Sequence, residues 1–73
     1  MAVVRLAKNQ DRRLRSGHPW VFSNEIASME GNPEAGAEVV VEDHRGVPVG
    51  VGFYNPHSLI AVRLYARHAR PID

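Results

Sequence analysis

Apolar residues recur at every second position through much of this chain, an alternation that predicts strands rather than helices. Residues 3–6 form a short apolar run suited to a first strand. Over 38–42, Val39 and Val41 alternate with Glu38, Val40 and Glu42, the pattern of a half-buried strand. Asp43-His44-Arg45-Gly46 opens on aspartate and closes on glycine, as a tight turn does. Beyond it Val47, Val49, Val51 and Phe53 hold the odd positions, with Pro48, Gly50 and Gly52 between them, which completes a hairpin. Alternate glycines weaken a flat strand, so Gly50 and Gly52 are expected to mark bending or a close backbone approach in a small barrel. A second turn, Asn55-Pro56-His57-Ser58, leads to a strand in which Ile60, Val62 and Leu64 alternate with Ala61, Arg63, Tyr65 and Arg67. Residues 25–30 supply a further strand and 31–36 a loop.

One segment departs from this period. Asn9 is placed to cap a helix over 10–16, with Asp11 in its first turn and Gly17 and Pro19 ending it. On that helix Arg12 and Arg15 share a face, and Leu14 points away as the only apolar anchor. A helix of two turns cannot stand alone on one anchor, so it must pack on the sheet. Short strands with one short helix indicate a mainly β (α+β) fold, a mixed sheet or partly closed barrel.

Composition narrows the function classes. The chain has 73 residues, enough for one domain near the lower size limit for folding without staples. It has no cysteine, which excludes disulfides and thiolate zinc sites and fits a reducing, cytoplasmic setting. No apolar run approaches the roughly 20 residues of a membrane span, so no membrane partner is expected. The N-terminus lacks the layout of a signal peptide. The chain has no G-x-G-x-x-G, phosphate loop, G-x-S-x-G or cysteine nucleophile, and its 4 histidines show no metal-ligand spacing. Catalysis by this segment alone, or a cofactor within it, is not expected.

Charge is unevenly distributed. Residues 1–20 carry five basic side chains and one acid, residues 21–44 six acids and no Lys or Arg, and residues 45–73 four arginines and one acid. Two readings stand level: an anion-binding face opposite an acidic one, or charges dispersed over separate solvated faces.

The densest chemistry lies in Arg12-Arg13-Leu14-Arg15-Ser16-Gly17-His18-Pro19-Trp20-Val21-Phe22. Guanidinium groups suit phosphate, and an indole beside them can stack on a base. Trp20 and Phe22 share one side of an extended segment. For Trp20, burial in the core is the favoured reading and base stacking the alternative. The Arg63-Tyr65-Arg67 face interleaves cation and aromatic, which suits single-stranded nucleic acid but equally describes an ordinary outward strand face.

The run from Arg12 to Ile26, followed by Asp43-His44-Arg45-Gly46, Gly50-Val51-Gly52-Phe53-Tyr54-Asn55-Pro56-His57-Ser58 and Val62-Arg63-Leu64, resembles the N-terminal PUA domain of bacterial S-adenosylmethionine-dependent 23S rRNA cytosine-5 methyltransferases. The resemblance implies a PUA-like pseudo-barrel of mixed strands with one or two short helices, over residues 1–68. It also implies that residues 69–73 lead toward a C-terminal catalytic region using S-adenosylmethionine and a cysteine nucleophile. Ribosomal RNA and that methyltransferase domain are the implied partners. Carried over residue by residue, it points to Arg12, Arg13, Arg15, Gly17, His18 and Trp20 as RNA contacts. The competing expectation is a structural module packed on the catalytic domain with little RNA contact.

Overall fold

A computed structural model describes residues 2–67; the segment expected to lead toward a catalytic region lies outside them. Strands β1 (Ala2–Leu6), β2 (Trp20–Phe22), β3 (Ile26–Glu30), β4 (Glu38–Glu42), β5 (Pro48–Tyr54) and β6 (Ile60–Arg67) form one sheet in the order β2-β6-β5-β4-β1-β3. Every ladder is antiparallel except β1 with β4, which is parallel. The sheet is therefore mixed, and it curls into a half-barrel as the pseudo-barrel expectation requires. Register shifts interrupt all four antiparallel ladders. Each shift adds local bend and twist, which is how so small a sheet wraps around its own core.

That core is built from short branched side chains on one face. Val4, Leu6, Val21, Val39, Val41 and Val62 are essentially sealed from solvent, and Leu14 joins them from the helix. The predicted closeness of β5 and β6 is present at both glycines. A Cβ on Gly50 would lie 2.9 Å from the Ala66 carbonyl oxygen, and one on Gly52 would lie 2.9 Å from the Leu64 Cα and collide with the Arg63 carbonyl. Any side chain there would push the two strands apart.

The helix is shorter than the sequence suggests: α1 spans Arg12–Arg15. Asn9 does not cap it. Its φ of 69° turns the chain sharply, Asp11 holds the cap position without a side-chain cap bond, and the Asp11 carboxylate instead accepts from Arg15. The end is as expected. Gly17, at φ 113°, lets the His18 N–H reach the Arg13 carbonyl at 3.1 Å and its own N–H reach Leu14 at 3.1 Å, a Schellman closure.

The aromatics Trp20 and Phe53 lie outward, and Trp20 reverses the core reading favoured from the sequence. Trp20 is 41% exposed, and Val21 is the member of β2 that enters the core. Phe53 is 46% exposed although it shares odd parity with buried Val49, because the register shift between Val51 and Gly52 changes which face β5 presents. Nor do the charges form opposed faces. Four of the six acids of the middle segment pair with arginines of the flanks: Glu30 and Glu42 with Arg5, Glu25 with Arg13, Asp43 with Arg15 and Arg45. Parallel pairing of β1 with β4 sets Arg5 directly beside Glu42, so the sheet topology neutralises what the linear sequence separates.

Candidate nucleic-acid interface

Helix α1, its Schellman turn and β2 carry the six residues singled out in the sequence. The structure keeps them together on one rim, with Arg12, Arg13, Arg15, Gly17, His18 and Trp20 all exposed. Their commitments differ. Arg12 has no ion pair or side-chain hydrogen bond among the described residues, so its guanidinium is entirely available. Arg13 lies over the Phe22 ring, 4.8 Å from its centroid, and 3.6 Å from the Glu25 carboxylate. Glu25 in turn accepts from the Phe22 N–H at 2.9 Å, which locks the 3-10 turn Ser23–Glu25 that follows β2. Arg15 bonds Asp11 and, at 3.1 Å, Asp43. Arg13 and Arg15 thus anchor the rim while remaining about half exposed, and a guanidinium with five N–H donors can serve a second acceptor.

Asp43 is the residue that sequence reading took for a simple turn opener. It is 1% exposed. One carboxylate oxygen accepts from the backbone N–H groups of Arg45 and Val47 at 2.9 and 3.0 Å, and the other receives Arg15 and Arg45. Burial pushes its carboxyl up, but the Val47 and Arg45 backbone bonds and the Arg45 guanidinium outweigh this and hold it below the ordinary range. The neighbouring Asp11 is lowered chiefly by its hydrogen bond from Arg15.

Arg67, read from sequence as one of three outward residues on β6, folds back instead. Its guanidinium donates to the Leu14 carbonyl at 2.6 Å, which also accepts the Gly17 N–H, and to the Gly17 carbonyl at 2.9 Å just beyond the end of α1. Arg63 and Tyr65 do face outward. Arg63 stands opposite Trp20 on β2 and opposite Phe53 on β5. Phe53 and Tyr65 stack with centroids 4.9 Å apart, and the Tyr65 hydroxyl donates to Glu38 at 2.5 Å. That hydrogen bond raises the Tyr65 pKa. No grouping of three His, Cys, Asp or Glu side chains that could hold a metal occurs among the described residues.

No helix among the described residues is long and apolar enough to cross a membrane. The sequence pattern of the family described as PUA-like domain matches residues 4–67. The chain is also similar to proteins named Ribosomal RNA large subunit methyltransferase I. It is 40% identical to the one from Vibrio cholerae over 70 residues, 96% of this chain and 18% of that protein. Identity is 42% over 64 residues with the Alteromonas mediterranea protein, covering 88% of this chain and 16% of the relative. Against the Escherichia coli protein it is 40% over 60 residues, 82% and 15% of the respective lengths. The chain therefore spans less than a fifth of each of these relatives.

Proposed function

The chain belongs to the PUA-like domain family, and from that premise we propose that it is the RNA-binding module of a ribosomal RNA methyltransferase acting in the cytoplasm. The relatives' name supports RNA of the large ribosomal subunit as the partner. The proposal extends to 23S rRNA as substrate, cytosine carbon-5 as the methylated position, and S-adenosylmethionine as donor. Donor and cysteine nucleophile are assigned to a catalytic domain in the rest of such a protein, and none of that chemistry to this segment.

The observation that carries the reading is the rim itself. Among the described residues Arg12, His18 and Trp20 present an unpaired guanidinium, an imidazole and an indole beside a glycine turn that carries no side chain, while Arg13 and Arg15 hold the rim in place and add their remaining donors. Phosphate contacts of this kind are salt-sensitive. Affinity for single-stranded ribosomal RNA fragments is expected to fall with a log–log slope near −0.7 per phosphate engaged.

A second reading, an interdomain module with little RNA contact, draws on the ion pairs that already occupy Arg13 and Arg15. A salt titration separates the two. Absence of binding at low salt, or binding indifferent to salt, supports the interdomain role.

A further inference from the structure

The outward face of the sheet carries a feature that the rim does not explain. Pairing register places Trp20, Arg63, Phe53 and Glu38 in one row across β2, β6, β5 and β4. Directly opposed residues have Cβ atoms about 5 Å apart, and Trp20 and Phe53 are separated by two strand spacings, about 10 Å. All four are exposed, and Tyr65 extends the row by stacking on Phe53. The sequence of chemistry along it is indole, guanidinium, stacked aromatic pair.

Arg63 is the unusual member. Among the described residues Arg5, Arg13, Arg15, Arg45 and Arg67 are each engaged by a carboxylate or a carbonyl, whereas Arg12 and Arg63 are not. A chain that satisfies most of its guanidinium groups internally leaves this one free between two ring systems. The Tyr65 ring, stacked on Phe53, is tethered at its far end by the hydrogen bond its hydroxyl donates to Glu38. Beside them lies an open groove of about 580 Å³ whose lining includes Phe53, Tyr54, Ile60, Arg63, Asn55 and Ser58. A lining that mixes aromatic and aliphatic surface with amide and hydroxyl groups suits a planar heterocycle with polar edges.

We infer that this face is a base-stacking platform for unpaired nucleotides. Bases lie on Trp20 and on the Phe53–Tyr65 pair, and the intervening phosphate lies on Arg63. Alternation of base and phosphate along a single strand matches alternation of ring and cation across the sheet, and sheet faces bearing aromatics bind unstacked bases in this way. Trp20 joins the platform to the rim, so one strand can run from the phosphate contacts of α1 onto the sheet. The inference rests on the RNA-binding reading above and adds to it what is recognised: exposed bases, not the backbone alone.

The test compares two probes on the 73-residue chain, an oligo(U) octanucleotide and an abasic ribose-phosphate octamer of equal charge. The sole tryptophan, Trp20, reports stacking by its fluorescence. Oligo(U) is expected to bind at least about 5-fold more tightly than the abasic probe, the lower bound for one stacked base, and to quench Trp20. Phe53→Leu, which keeps apolar bulk without a ring, should narrow that ratio, whereas Arg63→Gln and Arg12→Gln, which remove phosphate contacts, should weaken both probes alike. Ser28→Ala, an exposed position on β3 at the opposite edge of the sheet, should retain both the ratio and the affinities and so serves as the control. Equal affinity for the two probes, untouched by Phe53→Leu, would overturn the platform while leaving the rim as a phosphate-binding site. Failure of both probes to bind at low salt would overturn platform and RNA-binding reading together.

Discussion

Arg67 closes the turn at Gly17: its guanidinium reaches that carbonyl at 2.9 Å across 50 positions of sequence. The last strand of the sheet thereby holds the loop that presents His18 and Trp20. The geometry of the rim depends on a residue outside it, and the first prediction follows from that dependence.

Arg67→Gln should leave the sheet intact but remove the donor that reaches the Gly17 carbonyl, while the Leu14 carbonyl keeps its bond from the Gly17 N–H. The expected loss of stability is about 1–2 kcal/mol, that of a charge-assisted bond discounted for exposure. Amide exchange at Gly17 and His18 should accelerate while the exchange of β4 stays unchanged. Unaltered exchange at the turn would remove Arg67 from its supporting role.

Trp20→Ala should barely change stability, since the indole lies outside the core. If the residue stacks on RNA, affinity should fall by about 1–3 kcal/mol. Denaturant unfolding and fluorescence anisotropy with labelled RNA read the two quantities separately. A large loss of stability with unchanged binding would return Trp20 to the core.

Asp43 predicts a pH dependence. Its folded pKa lies below the ordinary 3.8, so its contribution to stability is complete above about pH 4. As pH falls below that value, the unfolded chain takes up the proton more readily than the folded one, and the contribution drains away through the folded pKa. Urea unfolding between pH 2 and pH 7 should show a plateau followed by an acid-side decline. Asp43→Asn should lower the plateau by about 1–3 kcal/mol and shrink the decline. A decline of equal size in both proteins would assign it to other carboxylates.

Gly52→Ala tests how tightly β5 and β6 are drawn together. The added methyl would strike the Arg63 carbonyl, which is backbone and cannot swing aside. A loss of about 1–3 kcal/mol or more is expected, measured as a lower denaturant midpoint. Because Arg63 sits on the displaced segment, RNA affinity should drop as well.

Much of the architecture was legible from alternation. Val39 and Val41, or Ile60, Val62 and Leu64, announce their strands because one face of each is buried and a period of two is hard to mistake. The two glycines of β5 announced the close approach for a related reason, since few other roles suit glycine at alternate strand positions. The aromatics were not legible. Alternation puts Trp20 and Phe22 on one side, but three residues of strand do not say which side is inward, and the ladder shifts register between Val21 and Phe22. Small Val21 fits the crowded interior of a six-stranded half-barrel better than an indole does. For Phe53, parity was broken by a register shift that no composition rule anticipates. The site was half legible: local sequence placed six residues on one rim, but Asp43 and Arg67 reach it only through the fold.

Strand β1 has a history as well as a position. Ala2–Leu6 lies between β3 and β4, and its parallel partner is complete only once Glu42 has been made. A nascent chain cannot zip this sheet up in the order of synthesis, because an early strand needs a neighbour that emerges some forty residues later. Contacts of such sequence separation slow folding. Until β4 arrives, Val4 and Leu6 lack the neighbours that bury them, and the core they enter is complete only when Val62 and Leu64 of β6 have followed.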